Sequence, residues 1–478
     1  MPTRLFEFPE ERKKPVRSIR ESLDAQSVAV IGASRDQEKP GAQLLRVLKD
    51  VGYRGRIAGV NPQGGEVFGV PLYPSVKQVP FDVDLSVLLI PPRFVPAAVS
   101  DCISKGVKGI VISAEGFAEA GPEGKVYQDE VGALLRSSGV RGFGPNTLGI
   151  INTQTRLTTS YFTTEKMLRP GLIGLSAQSG IFVGALLRYL SSQEGLHLSK
   201  GIGLGNKVDV NESDALAFFA DDDQTKIVGL YLEDVKDGRR FFDRLKETVS
   251  RKPVLMIKSA RTQAGASASA SHTSSLAVED AVFDGSVRQA GAIRLKSIDE
   301  LVSTLKGFTA MPLPRGGRLA LVTYSGAQAI MSIDTMMEEG LTLAQFSSVA
   351  KERIGRVIAT DSKRKNPIDI FPDWVAQGYE KTTSEIVKAL LDDDEVDGIL
   401  FISFADQHAE AHRPLIEAVK ENPCKPFLVS LLGDGLDKDT NERFLDTNGI
   451  PCFNYPEQAV SVFGRMWRYA QFKARLAG

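Results

Sequence analysis

Histidine, cysteine and tryptophan are scarce in this chain, at four, three and two residues among 478. The cysteines, Cys102, Cys424 and Cys452, are odd in number and far apart. They supply neither a disulfide framework nor a metal-site spacing, so no metal centre is expected and a reducing cytoplasm is the expected compartment. No apolar run reaches the roughly 18 residues that a membrane span requires. The opening MPTRLFEFPEERKKPVRSIRESL has no continuous apolar stretch, so it is not expected to be a secretory signal. A formal charge of -1 gives no reason to expect nucleic acid or an anionic membrane as partner. The acidic runs at 221–223 and 392–395 are short and read as solvated helix ends or loops.

What is present fits a soluble α/β protein. With 42% hydrophobic and 24% charged residues the chain can bury substantial cores, and at about 150 residues per domain its length suggests about three. After an extension over residues 1–19, a first block (20–152) runs through SVAVIGAS, RIAGVNP, VDLSVLLIPP and GIVISAEGF, short buried-strand runs separated by helical patterns. A second block (153–310) holds GLIGLSAQSG, GIGLGNKVDV, IVGLYLED and KPVLMIKSA. The linker MPLPRGGR opens a third (311–478) with RLALVTYSGAQAIM, NPIDIF, GILFISF and KPFLVSLLG. Strands alternating with helices at this spacing imply parallel, doubly wound sheets, which bind ligands at the carboxyl ends of their strands.

The first loop is not a nicotinamide fingerprint. Gly32 is followed by Ala33, Ser34 and Arg35, the next glycine is Gly41, and Asn61-Pro62-Gln63 stands where an acidic ribose ligand belongs. The amides of Gly32 to Ser34, with Arg35 and Lys39, suit phosphates instead. In LSAQSG, Ser176, Gln178, Ser179 and Gly180 precede an apolar helix whose N-terminus favours an anion, although serine and glycine also simply cap helices. The stretch from Lys258 to Ala277 is rich in Ala, Ser and Gly and carries one imidazole, His272. Neutral imidazole is a nucleophile able to accept a phosphoryl group when a carboxylate fixes its tautomer, and Glu233, ending IVGLYLED, suits that role. From composition alone the plainer reading, a flexible loop with an incidental histidine, is favoured. His408 and His412 share helical i, i+4 spacing but lack the H-E-x-x-H pattern and a third ligand, so an exposed helix face is expected.

The order of VAVIGAS, VNPQGGEVFGVPLYPSV, ISAEGFAE, GPNTLGIIN, SAQSG, GLGNKVDVNESDAL, YLED, SHTSSLAVEDAVFDGSVRQAGAIR and NPIDIF resembles the ADP-forming acyl-CoA synthetases, relatives of succinyl-CoA synthetase, from about Ser22 to Phe472. The resemblance implies an α/β fold with a Rossmann-like CoA-binding domain followed by two flavodoxin-like domains. It implies the alpha subunit of an acid–thiol ligase, in which acyl-CoA and phosphate give an acyl phosphate that phosphorylates a mobile histidine. By matching motifs His272 is that histidine and Glu233 its partner. Ser176, Gln178, Ser179 and Gly180 hold the phosphate. Gly32, Ala33, Ser34, Lys39, Asn61, Pro62, Pro91, Glu115, Gly116 and Phe117 line the CoA site, and Asn146 and Thr147 lie near the acyl group. Acetate or another short acid is the default acyl group by resemblance, and aryl and branched acids, used by relatives, stay open as alternatives.

Ser274 and Val278 replace two family glycines in the loop and restrict its backbone; Thr147 replaces a cysteine after GPN. No Walker A string occurs, so the resemblance implies a separate ATP-grasp beta subunit carrying ATP or ADP with Mg2+, in an alpha2beta2 assembly. One rival is a CoA- or acyl-CoA-binding regulatory module with a decayed relay. A nicotinamide oxidoreductase is a second, opposed by the missing glycine and acidic ligand.

Overall fold

The structure is a computed structural model that describes residues 18–265, 279–371 and 373–477. The strand runs return as three sheets, gathered in two compact units. Among the described residues, one unit comprises 18–191, 197–252, 258–265 and 279–290; the other comprises 192–196, 253–257, 291–371 and 373–477.

In the first unit, β1 (Ser27–Ile31), β2 (Arg56–Val60), β3 (Gly65–Val67), β4 (Val70–Tyr73), β5 (Leu85–Leu88), β6 (Gly109–Ile112) and β7 (Arg141–Phe143) form a sheet of order β3-β4-β2-β1-β5-β6-β7. All neighbours are parallel except β3, which returns antiparallel on β4. Strands β1 and β5 are buried at every residue, as expected of a parallel sheet covered on both faces. Next come β8 (Ile150–Asn152), β9 (Leu157–Thr158), β10 (Ile173–Ala177), β11 (Leu198–Gly203) and β12 (Ile227–Leu232). They lie in the order β12-β10-β11-β8-β9, with β12, β10 and β11 parallel and β8 and β9 antiparallel. The expected boundary at 152 therefore falls at the end of a strand already in the second sheet.

In the second unit, β13 (Val254–Lys258) pairs in parallel with β14 (Ile293–Leu295). Strands β15 (Arg318–Thr323), β16 (Thr342–Leu343), β17 (Ile368–Asp369), β18 (Gly398–Phe404), β19 (Phe427–Leu432) and β20 (Cys452–Phe453) form the third sheet, order β16-β15-β18-β19-β20, with β17 also on β15. Its apolar runs alternate between two cores. Ala320, Val322, Ile399, Phe401 and Val429 enter one, and Leu319, Leu321, Leu400, Ile402 and Leu428 the other, as the two-residue period of a strand demands.

Two expectations are corrected. His412 is not on an exposed face: it is buried, with Nε2 2.7 Å from Asn441 Oδ1 and Nδ1 3.1 Å from the Tyr379 hydroxyl. Neither acidic run is wholly solvated, because Asp222 and Asp393 are buried and accept the amides of Thr225 and Ser347. Among the described residues, no helix is long and apolar enough to cross a membrane.

Candidate active site

Glycine turns build the carboxyl edge of the first sheet. Gly32 has φ of +93°, and a Cβ there would collide with the Leu89 carbonyl oxygen; glycine alone meets both demands. A Cβ on Gly41 would strike the Gly32 carbonyl oxygen, so the helix Pro40–Asp50 starts tight against this turn. Exposed Lys39 stands at its N-cap and no side chain caps the helix, an arrangement suited to an anion. Asn61 ties two loops together: its Nδ2 donates to the Ala33 carbonyl at 2.7 Å and its Oδ1 accepts from the Gln63 amide at 2.9 Å. Arg35 donates to the carbonyls of Gln63 and Gly64 at 2.9–3.1 Å, holding that loop in place.

Within the same unit a cavity of about 1140 Å³ is lined by Glu115, Gly116, Asn146, Thr147, Gln178, Ser179 and Glu233. Residues expected separately for CoA, acyl group, phosphate and catalysis thus share one wall. Asn146 adopts φ of +58°, a left-handed conformation that asparagine tolerates, and its amide donates to the Ala114 carbonyl at 2.9 Å. The Thr147 hydroxyl accepts from the Gly149 amide at 3.0 Å.

Glu233 follows the last residue of β12 and is set by a polar clamp. The Gln178 side-chain oxygen accepts from the amides of Glu233 and Asp234 at 2.9 and 3.2 Å, while its Nε2 donates to Asp234 Oδ1 at 2.7 Å. Behind it, the wholly buried Lys207 ammonium lies 2.5 Å from Asp234 Oδ1 and 3.0 Å from Glu212 Oε2, and donates to the Asp234 carbonyl at 2.9 Å. Burial works against ionisation of Asp234, but Lys207 outweighs it and holds the carboxyl below its usual range. Glu119 also lines the cavity. Burial opposes its charge too, yet the Asn206 amide at 2.5 Å and the backbone amides of Gly116 and Phe117 at 2.7 and 3.1 Å keep it below the usual range. Lys125 and Lys236 add cationic groups to the wall, so it presents fixed carboxylates beside ammonium groups able to meet a phosphate.

Residues 26–153 match the model of a CoA binding domain, and residues 170–308 that of a succinyl-CoA ligase like flavodoxin domain. The alpha subunit of acetate–CoA ligase [ADP-forming] II from Pyrococcus furiosus is 35% identical over 92% of this chain and 95% of its own length. This chain belongs to the ADP-forming acetate–CoA ligase family. Acetate–CoA ligase [ADP-forming] II of Archaeoglobus fulgidus is 35% identical over 96% of this chain and 69% of its own length. A solved structure, the Ca. Korarchaeum cryptofilum dinucleotide forming acetyl-coenzyme A synthetase 1 in complex with phosphate and ADP, superposes with a TM-score of 0.89 at 29% identity, covering 96% of this chain and 98% of that one.

In this ligase-family chain the expected residues fall into groups. Glu115, Gly116, Asn146, Thr147, Gln178, Ser179 and Glu233 line the cavity. Gly32, Ser34, Lys39, Asn61, Pro62 and Pro91 stand outside its wall, at or just beyond the ends of β1, β2 and β5. Ala33 and Phe117 are wholly buried and stand outside the cavity wall; Phe117 packs in the first core, and its amide donates to Glu119. The Ser176 hydroxyl is buried without a hydrogen-bond partner and is not in the cavity wall, and Gly180 begins the helix Gly180–Leu190. His272, Ser274 and Val278 lie outside the described residues. Sequence reasoning assigned no role to Glu119, Asn206, Lys207 or Asp234. The stretch GLGNKVDVNESD holds Lys207 and its partner Glu212, but the other partner, Asp234, lies 27 positions on.

Proposed function

We propose that this chain is the CoA-binding, phosphoryl-carrying alpha subunit of an ADP-forming acid–CoA ligase: acid + CoA + ATP ⇌ acyl-CoA + ADP + phosphate. In the ATP-forming direction phosphate oxygen attacks the thioester carbonyl, CoA leaves as its thiol, and an acyl phosphate forms. The His272 imidazole then attacks phosphorus, the carboxylic acid leaves, and the phosphohistidine passes its phosphoryl group to ADP on an ATP-grasp partner with Mg2+. The partner completes an alpha2beta2 assembly in the cytoplasm. Gly32 to Ser34, Lys39, Asn61, Pro62 and Pro91 bind CoA, with Glu115 and Gly116 leading into the cavity and Phe117 packed in the core next to them in the chain; Asn146 and Thr147 face the acyl group. Gln178, Ser179 and the helix beginning at Gly180 hold the phosphoryl group, and Glu233 accepts a hydrogen bond from the imidazole, fixing its tautomer and stabilising the charged product.

One observation carries this reading: Glu233 is held by Gln178 in the same cavity wall as Glu115, Gly116, Asn146 and Thr147. The test supplies γ-labelled ATP, Mg2+ and the ATP-grasp partner to wild-type and His272→Ala chains. Label that is acid-labile, base-stable and lost in the variant is expected. An active partner that leaves this chain unlabelled rejects the relay and leaves a CoA-binding regulatory module in its place.

A further inference from the structure

The wall beside Asn146 and Thr147 is thin at one residue. Leu148, half-buried, lines the main cavity and also a separate void of about 20 Å³ behind it. Around the void stand Ile151, Met167 and Leu187 with the backbones of Gly184, Gly201 and Gly203. The nearby hydroxyls are engaged: Thr163 with Thr158 at 2.8 Å, and Ser160 accepting from the Phe162 amide at 3.3 Å. A water needs two to four free polar partners, so this space is apolar in character.

Its glycines are informative. Gly201 and Gly203 lie inside β11 and Gly184 inside the helix Gly180–Leu190, where glycine weakens an element unless a close approach requires it. A Cβ on Gly203 would collide with Thr147 Oγ1, and one on Gly184 would sit 3.1 Å from Leu148 Cδ1. These two glycines make room for the side chains at 147 and 148, and Leu148 is shared by the walls of cavity and void.

We propose that Leu148 is a specificity-determining gate that limits the acyl group to short aliphatic acids, and that the void behind it is an apolar branch able to take a longer straight chain once the leucine is removed. This rests on the CoA-ligase reading above, with the acyl group at Asn146 and Thr147. Each methylene moved from water into such a branch favours binding by about fourfold.

The test is calorimetric titration of the full chain and its Leu148→Ala and Leu148→Phe variants with CoA, acetyl-CoA and hexanoyl-CoA. The hexanoyl-to-acetyl affinity ratio is expected to rise at least tenfold in Leu148→Ala and to fall at least threefold in Leu148→Phe. The phenylalanine variant, which keeps the wall filled, decides the matter if the alanine variant does not fold. Ratios within twofold of wild type in the folded variants, with CoA itself bound, overturn the gate and leave the ligase reading standing. No binding of CoA or either thioester by wild type instead rejects the CoA-site reading, and the gate falls with it.

Discussion

The ends of β10 and β15 are written in nearly the same letters and do opposite things. Gln178-Ser179-Gly180 follows β10 and opens a helix; Tyr324-Ser325-Gly326 follows β15 and opens another. After β10, Gln178 turns inward, holds the amides of Glu233 and Asp234 and borders the cavity. After β15, the Tyr324 ring packs against Trp374, Phe404, Phe401 and Tyr379 with centroids 5.7–6.4 Å apart, and burial pushes its hydroxyl far above the usual tyrosine range. A parallel sheet makes its carboxyl edge the default ligand position. Whether space exists there is decided by single side chains: a polar residue that grips backbone leaves a cavity, and an aromatic one fills it.

The most damaging way to break the first arrangement is Glu233→Gln. It keeps shape and hydrogen-bonding capacity but removes the charge, and on the proposed mechanism it should cut phosphoryl transfer by roughly 10²–10⁴-fold with little change in melting temperature. Labelled-phosphate turnover beside a thermal melt checks both halves; turnover within threefold of wild type removes Glu233 from the mechanism. Lys207→Met comes next. It strands Asp234 and Glu212 without their shared cation, and breaking a buried pair in this way costs about 3–5 kcal/mol. Denaturant unfolding should show the loss, and Lys207→Met together with Asp234→Asn and Glu212→Gln should recover part of it.

How much of this was legible beforehand follows the physics of each feature. The central parallel strands of the three sheets stood out because fully buried parallel strands are short, continuous apolar runs, whereas short or antiparallel ones such as β3, β8, β9 and β16 did not; Gly32 and Gly116 were readable because turns with positive φ select glycine. Glu233 could be singled out because it follows the buried run IVGLYL, and it borders the cavity. Lys207 could not, because a buried lysine is defined by carboxylates from elsewhere in the fold: Asp234 lies 27 positions away. Phe117 and Ser176 were expected at the ligand, yet their side chains belong to the interior, since a motif gives the position of a residue and not the direction it faces. His412 went the same way: its burial depends on Tyr379 and Asn441, both remote in sequence.

Exchanging one residue between the two edges tests whether they act independently. Tyr324→Gln places at the third sheet the residue that borders the cavity at the second. It removes several edge and stacked aromatic contacts, each worth about 0.5–1.5 kcal/mol beyond area burial, so a loss of about 2–3 kcal/mol is expected in the second unit's denaturant transition. CoA titration should be unaffected, because Tyr324 belongs to the unit without the cavity. An altered CoA affinity would show that the two edges are not independent.

The smallest effect separates the edges by pH. Burial holds the His412 imidazole below its ordinary value of 6.5, against the opposing pull of Asn441 and Asp406. As pH falls below about 6.5 the unfolded chain binds a proton that the folded state refuses, so this histidine's contribution is intact above that pH and is lost progressively towards the lower folded pKa. Asp234 and Glu119 are shifted down from 3.8 and 4.5, so theirs is lost only in more acidic solution. Glu442 and Asp446, pushed up chiefly by burial, act with the opposite sign as pH drops towards their range, so the measurement is a difference between wild type and His412→Gln. Amide hydrogen exchange over residues 409–421 and 427–432 should lose protection between pH 7 and 5.5 in wild type and much less in the variant. Over the same interval β10 and β12 should keep theirs in both proteins. Equal slopes in wild type and variant would mean that His412 is protonated within the fold, and that the filled edge is as tolerant of charge as the open one.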